Sequence, residues 1–248
     1  MTNYWLSEAA RTLVLFVAAY ALGRWVQRRG IRVNYTRKIL HFLLFFVPLS
    51  LGAWLPFQGS TFTVVTSGLV FLGSILMMSA PLRSRSTFLA TAYAAFDRPE
   101  DRPYTLLWLT TQVLATYAVL IAVIWWLGQY GKTQLVFIAV LVAAIGDGLA
   151  EPVGVRFGRH TYSTRALFTD RRYVRSLEGS ACVLVSGILA VSVMRSQFDS
   201  QAQFFLALVL VPVLMTLAEA WSPHTWDGPF LYGVGGAATV AALELGGA

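Results

Sequence analysis

The 248-residue sequence is hydrophobic and basic. Hydrophobic residues make up 56% of it and charged residues 12%, and the mean hydropathy is +0.62, whereas soluble domains carry about 25% charged residues. These values exclude an ordinary soluble domain and indicate a membrane protein. The net charge of +7 does not indicate a nucleic acid partner, because the basic residues collect in alternate loops between apolar segments.

Hydropathy along the chain predicts seven or eight membrane-spanning helices. The run from Ile39 to Leu82 has 44 residues and only His41 is ionisable. Since a span needs about 20 apolar residues, this run must fold back once, and Pro56 to Thr61 mark the turn. No small-residue cleavage site follows the first span, so we expect a retained helix. The predicted spans lie near residues 8–26, 39–56, 61–81, 105–128, 133–153, 178–195, 202–221 and 229–246.

The fold class that follows is all-α, a polytopic transmembrane helical bundle forming one integral membrane domain over residues 1–248. Its orientation is predicted by the basic residues, since 16 of 19 lie in three alternate loops. The positive-inside rule places these loops in the cytoplasm and the N-terminus outside. For most of the arginines, orientation alone is a sufficient role. The 16 residues are Arg24, Arg28, Arg29, Arg32, Arg37, Lys38, Arg83, Arg85, Arg98, Arg102, Arg156, Arg159, Arg165, Arg171, Arg172 and Arg175.

Two carboxylates lie in or near the fifth span, in the segment Ile145-Gly-Asp-Gly-Leu-Ala-Glu-Pro. Asp147 is predicted roughly 20 Å from the start of its helix, and Glu151 is four residues later on the same face. Acidic residues at such depth usually face a cavity or a partner. The pair suits Mg²⁺ held together with substrate phosphates. An interhelical ion pair with Arg156 or Arg37 is the alternative.

An anion site is predicted where the sixth span begins. Glycines such as Gly154 and Gly158 allow close backbone approach, and the N-terminus of the span presents free N–H groups. The same residues also suit a plain helix start, with Ser176 and Ser180 as caps and Glu178 in the first turn, so both interpretations stay open. The candidate residues are Gly154, Gly158, Arg159, Arg175, Ser176, Glu178, Gly179 and Ser180.

A third cluster, Arg37, Lys38 and His41, starts the second span. Their spacing of three and four places them on one helical face. Two cations and an imidazole fit phosphate binding and proton transfer from a hydroxyl. Two further polar stretches are predicted on the same side of the membrane. Residues 97–103 are either a self-neutralising loop or part of the site, and Glu219 to Asp227 end the seventh span.

Several kinds of site are excluded by what the sequence lacks. It contains no P-loop, no H-E-x-x-H and no G-x-S-x-G motif. The single cysteine, Cys182, excludes an intramolecular disulfide and a cysteine zinc site, and we expect it to pack as a small apolar residue.

Taken together, the motifs R-K-x-x-H from Arg37, G-D-G-L-A-E-P-V-G-x-R-F-G-R from Gly146 and R-S-x-E-G-S from Arg175 resemble the membrane polyprenol kinase family. This family includes dolichol kinase, phytol kinase and the CTP-dependent diacylglycerol kinase, and the phytol kinase branch is the most similar. The resemblance implies Mg²⁺-dependent transfer of the γ-phosphate of a nucleoside triphosphate, typically CTP, to an isoprenoid or lipid alcohol. The orientation predicted from the basic residues places this site at the cytoplasmic face of the bilayer.

The resemblance also implies roles for particular residues. Asp147 matches the motif aspartate, Arg175 stands where a lysine is usual, and Glu178 to Ser180 match the nucleotide loop. Glu219 and Asp227 are similar to a late acidic pair, although Gly228 follows where Asn is common. We therefore expect Asp147, Lys38 and His41 as catalytic residues, with His41 accepting the alcohol proton, and Asp147, Glu151 and Glu178 as candidate metal ligands. Arg37 joins the nucleotide-binding candidates.

Two other functions remain open at this point. A phosphatidate cytidylyltransferase would use similar carboxylates but release pyrophosphate. A membrane transporter would use Asp147 as an ion or proton site, although the sequence shows no inverted repeat.

Overall fold

A computed structural model describes residues 1–247, and these residues are mostly helical. Its helices are α1 (Thr2–Arg29), α2 (Val33–Trp54), α3 (Thr61–Leu76), α4 (Ala80–Arg83), α5 (Thr87–Tyr93), α6 (Thr105–Gln129), α7 (Val136–Leu141), α8 (Gly148–Phe157), α9 (Leu177–Val193), α10 (Gln201–Trp221) and α11 (Asp227–Leu245). A π-helical segment, Val142–Asp147, joins α7 to α8. Two strands, β1 (Thr161–Arg165) and β2 (Arg172–Ser176), form an antiparallel hairpin.

The predicted all-α multi-pass membrane class is confirmed. Within residues 1–247, five helices are long and apolar enough to cross a bilayer, and α3 and α9 are shorter apolar helices. The five are α1, α2, α6, α10 and the composite helix Thr133–Phe157.

The predicted turn between the second and third spans is confirmed at the level of individual bonds. Helix α2 ends at Trp54, and α3 begins after Ser60. The Ser60 hydroxyl accepts a bond from the Thr63 backbone N–H, and the Thr63 hydroxyl accepts one from the Ser60 backbone N–H. This reciprocal capping box fixes where α3 starts.

The chain divides into two compact units, Met1–Leu114 and the described residues from Ala115 onward. In the first unit, α5 packs against α1 beside Gly23. A Cβ atom at position 23 would lie 1.8 Å from the Thr91 carbonyl oxygen, so only glycine permits this approach. Ala19, Met78, Ala92 and Tyr93 form the apolar core there.

The predicted third span, near 61–81, is shorter in the structure, because α3 ends at Leu76 and α4 and α5 follow.

Residues 97–103 form a self-neutralising turn, which was one of the two predicted alternatives. Arg98 pairs with Asp101 at 2.7 Å, and both are buried. Arg102 pairs with Asp97 at 2.7 Å, and the Thr105 hydroxyl donates to Asp97 at 2.8 Å. Pairing is what allows charges to be buried without a large desolvation penalty.

In the second unit, α9 packs against α7, the π-helical segment, α8 and α10. Small residues make these contacts close, as is usual for helices in membranes. A Cβ atom at Gly146 would lie 2.3 Å from the Ser186 hydroxyl oxygen, and one at Gly187 would lie 2.8 Å from the Pro212 Cα.

The hairpin between α8 and α9 differs from the loop that the sequence predicted. Its strand register makes Tyr162, Thr164, Tyr173 and Arg175 neighbours on one face. These four side chains are buried or half-buried, and we call this side the inner face. Strand side chains alternate, so the opposite side is an outer face, which is exposed except at Ser176. The outer face comprises Thr161, Ser163, Arg165, Arg172, Val174 and Ser176.

Candidate active site

The predicted catalytic carboxylate, Asp147, is the last residue of the π-helical segment. Glu151 lies in the first turn of α8, and both residues are half-buried. Pro152 follows and has no N–H to donate to the Gly148 carbonyl, so the usual helix bond is missing there. Short π-helical segments inside α-helices are frequent at functional sites. The irregular part of the helix therefore coincides with two of the three candidate metal ligands.

Three motif glycines surround one serine where α8 meets α9. A Cβ atom at Gly154 would lie 3.0 Å from the Ser176 hydroxyl oxygen, and one at Gly158 would lie 2.9 Å from it. A Cβ atom at Gly179 would lie 2.6 Å from the Ala150 carbonyl oxygen. These glycines let the C-terminal end of α8 approach the N-terminus of α9. The arrangement gives them a packing role, and their binding of nucleotide stays a prediction.

Ser176 is the N-cap of α9, as one of the two interpretations predicted. Its hydroxyl accepts a bond from the Gly179 backbone N–H at 3.1 Å. Ser180 does not cap the helix, because its hydroxyl donates to the Glu219 carboxylate at 2.9 Å. Capping satisfies one backbone donor, and the positive end of the helix dipole remains at this position.

Arg175 is held by Glu219 at the end of α10. Its Nη1 lies 2.9 Å from Glu219 Oε1 and 3.2 Å from the Ser222 hydroxyl, and it also donates to the Glu219 carbonyl. Burial by itself lowers the pKa of the guanidinium, but Glu219 and Asp227 outweigh this and raise it. The predicted phosphate-binding arginine is thus fixed within a buried ion pair.

Tyr162 extends this network. Its hydroxyl lies 2.6 Å from the Ser180 hydroxyl. Since Ser180 gives its only proton to Glu219, Tyr162 must donate to Ser180. Burial, followed by the negative charge of Glu219, raises the pKa of Tyr162, so the phenol keeps its proton at neutral pH. We call Tyr162, Arg175, Ser180 and Glu219 the hairpin network.

Glu178 faces a different partner in the first turn of α9. Its carboxylate accepts a bond from His160 Nδ1 at 2.8 Å and one from the His160 backbone N–H at 3.3 Å. This contact links the start of the hairpin to α9. Arg159, the neighbouring candidate, is exposed.

The loop between α10 and α11 also contacts the hairpin. The His224 ring stacks on Tyr173 with 3.5 Å between centroids, and the His224 backbone N–H donates to the Arg165 carbonyl at 2.8 Å. The inner face is thereby covered by α9, α10 and this loop.

The remaining candidates lie in the first unit, at the start of α2. Lys38 is buried with 5% exposure. Arg37 and His41 are half-buried, and the His41 ring lies 5.0 Å from the Phe45 ring.

Two of the three predicted metal ligands, Asp147 and Glu151, suit Mg²⁺. Among residues 1–247, no three His, Cys, Asp or Glu side chains are grouped so as to hold a metal ion. The metal-binding roles predicted for Asp147, Glu151 and Glu178 stay predictions. Mg²⁺ commonly uses one or two carboxylates together with substrate phosphates. Asp147 and Glu151, one helical turn apart, fit that pattern.

Sequence reasoning missed Tyr162 and His160, and it did not pair Arg175 with Glu219. A signal for Tyr162 was present, since Tyr162-Ser-Thr-Arg alternates β-branched or aromatic residues with polar ones. Such alternation is typical of a half-buried strand. No sequence signal pairs Arg175 with Glu219, which lies 44 residues away.

Comparison with known proteins identifies two similar plant proteins. The chain is 27% identical over 227 residues to probable phytol kinase 1, chloroplastic, of Oryza sativa subsp. japonica, covering 86% of this chain and 67% of that protein. It is 26% identical over 228 residues to a probable chloroplastic phytol kinase of Triticum aestivum, covering 86% and 70%. No protein family model and no solved structure matches. The chain is therefore similar, at low identity, to two proteins named as probable phytol kinases, and this similarity confirms the resemblance to the membrane polyprenol kinase family that its motifs predicted.

Proposed function

We propose that this protein is a membrane kinase that transfers the γ-phosphate of a nucleoside triphosphate, CTP in the first instance, to the hydroxyl of an isoprenoid or lipid alcohol. The similarity to two phytol kinases supports the reaction and the class of acceptor. The observation that carries the proposal is the contact between Ala150 and Gly179. It brings the helix of Asp147 and Glu151 against the capped N-terminus of α9.

In the proposed reaction, the alcohol oxygen attacks the γ-phosphorus and the bond to the β–γ bridging oxygen breaks. A nucleoside diphosphate leaves, and the alcohol proton passes to His41, whose role rests on the sequence motif. Phosphoryl transfer depends mainly on positioning and charge stabilisation. Mg²⁺, when bound through Asp147 and Glu151, supplies charge neutralisation on the triphosphate.

Other residues of the second unit are assigned to nucleotide binding. Backbone N–H groups at the start of α9 suit a phosphate, because the helix N-terminus favours anions. Arg159 is exposed and able to move toward a triphosphate. Arg175 contributes positive charge from a fixed position, since Glu219 holds it in place.

The test is label transfer by the full-length protein purified in detergent. The protein is incubated with Mg²⁺, γ-labelled CTP, ATP or UTP, and one alcohol of a panel comprising phytol, farnesol, geranylgeraniol, dolichol and diacylglycerol. We expect labelled lipid phosphate and free CDP from CTP. Asp147→Asn should reduce the label at least 100-fold, because Asn lacks the negative charge that the metal requires.

Asp170→Asn is the matched control, since it removes an exposed acid near the tip of the hairpin. It should retain activity. Release of pyrophosphate instead of CDP would favour a cytidylyltransferase. Folded protein that labels no alcohol with any nucleotide would overturn the proposal, and nucleotide-independent uptake in proteoliposomes would then favour a transporter.

A further inference from the structure

The outer face of the hairpin is both apolar and basic. Val174 is 74% exposed at its centre, and Phe168, at the tip between the strands, is 65% exposed. Arg165 and Arg172 form the next cross-strand pair of the outer face, between Val174 and the tip, and both are exposed. None of these four residues has a role in the proposed phosphoryl transfer.

The two arginines lie directly opposite each other in the strand register. Like charges at directly opposed positions destabilise an antiparallel pair. Neither side chain forms an ion pair with an acid in the part of the chain that the structure describes, residues 1–247. The segment from Arg159 to Ser176 contains five arginines and only one acidic residue, Asp170. An external anion between Arg165 and Arg172 would remove their repulsion.

The hairpin is tied to two membrane helices and cannot move far from the bilayer. Strand β1 begins four residues after α8 ends, and β2 runs directly into α9. Each strand has five residues, a length of about 17 Å at 3.3 Å per residue. The inner face is fixed to Ser180 and Glu219 on the helices themselves. The outer face is therefore within reach of the lipid headgroup layer.

We propose that the outer face of this hairpin docks on the anionic surface of the bilayer that holds the protein. Arg165 and Arg172 bind lipid phosphate groups, and Val174 and Phe168 enter the boundary between headgroups and acyl chains. Soluble anions satisfy only the arginines, whereas an anionic lipid surface satisfies the charged and the apolar residues together. The proposal depends on the membrane location of the chain and is independent of the kinase reaction.

The experiment uses the full-length protein with one fluorescent label. Because Cys182 is the single cysteine, Cys182→Ser with Ser163→Cys gives one labelling site on the outer face and leaves all four proposed contact residues intact. The protein is labelled with an environment-sensitive nitrobenzoxadiazole dye. It is then reconstituted into two kinds of vesicle, one of phosphatidylcholine alone and one that also contains about 30% phosphatidylglycerol. Both kinds contain a doxyl-labelled quencher lipid.

We expect quenching to be at least twofold greater in the anionic vesicles and to fall in 1 M salt, since salt screens exposed charges. The double variant Arg165→Gln with Arg172→Gln should abolish the difference in quenching between the two kinds of vesicle. Arg28→Gln with Arg29→Gln is the matched control, because it removes two exposed arginines at the end of α1. This control should leave the difference intact.

Three outcomes would overturn the proposal. Equal quenching in both kinds of vesicle would show that the outer face does not recognise anionic lipid. Loss of the difference in the Arg28 and Arg29 control would show a general charge effect. A dye response to added inorganic phosphate or CTP in phosphatidylcholine vesicles, without a response to phosphatidylglycerol, would assign the surface to a soluble anion.

Discussion

Arg175 on β2 and Glu219 near the end of α10 form a buried ion pair, with 2.9 Å between Nη1 and Oε1. Their side chains are 13% and 6% exposed. Glu219 accepts a second bond from Ser180, so both of its carboxylate oxygens are used. This pair attaches the hairpin to the helices of the second unit and fixes the guanidinium that the sequence motif assigns to the nucleotide.

Glu219→Gln should destabilise the protein by about 3 kcal/mol, because it leaves the Arg175 charge buried without a counter-charge. Thermal unfolding in detergent, followed by intrinsic fluorescence, measures the effect. The double variant Arg175→Gln with Glu219→Gln should regain part of the lost stability, since no uncompensated charge remains. If the two single losses simply add in the double variant, the residues do not act as a pair.

Gly146→Ala should destabilise the protein by about 1–3 kcal/mol, because the new Cβ would collide with α9. The atoms it meets are the Ser186 hydroxyl oxygen at 2.3 Å and the Val183 Cα at 2.9 Å. Gly73→Ala in α3 is the control, since within residues 1–247 no atom beyond its chain neighbours and the backbone of its own helix lies within 4 Å of its Cβ position. The control should be neutral or raise stability by about 0.5–1 kcal/mol, as removing a helical glycine does. Equal effects at the two positions would contradict the close packing of α9.

Magnesium dependence should distinguish the candidate carboxylates. Asp147→Asn is expected to abolish phosphate transfer, and Glu151→Gln to raise the Mg²⁺ concentration for half-maximal rate at least tenfold. Glu178→Gln should change this concentration less than threefold, because its carboxylate binds His160 in the structure. Titration of each variant with MgCl₂ after chelator treatment provides the measurement. A tenfold shift for Glu178→Gln would instead place this residue on the metal.

Alkaline pH should weaken the hairpin network. The pKa of Tyr162 is raised by burial and by Glu219, so the folded state holds this proton more tightly than the unfolded state does. The resulting stabilisation is complete below the unfolded pKa of about 10. It is lost as the pH rises through the higher folded pKa.

The measurement for this effect is the melting temperature of the wild type and of Tyr162→Phe across a pH series. The difference between them should be constant up to about pH 9 and should shrink above about pH 10. A difference that grows with pH would contradict the direction of the pKa shift.

Much of the membrane architecture follows from local sequence. Uninterrupted apolar runs placed the ends of the long helices to within about six residues, because a bilayer core requires about 20 apolar residues for each span. Ser176 was recognisable as a candidate helix cap, because capping depends only on residues three positions apart. The motifs around Asp147 and Arg175 were sufficient to indicate a resemblance to the polyprenol kinase family, which the similarity to two probable phytol kinases supports.

The tertiary structure alone decided which polar side chains meet. Arg175 and Glu219 are separated by 44 residues, as are Ser180 and Glu219 by 39, and no helical or strand period connects positions that distant. The pairing of the two hairpin strands was also decided by the tertiary structure, because five-residue strands depend on cross-strand contacts and on the helices that bury their inner face. The sequence by itself determined which segments cross the bilayer, because crossing depends on the length of an apolar run. Folding determined the contacts of the charged groups, because each depends on a partner that only packing brings near.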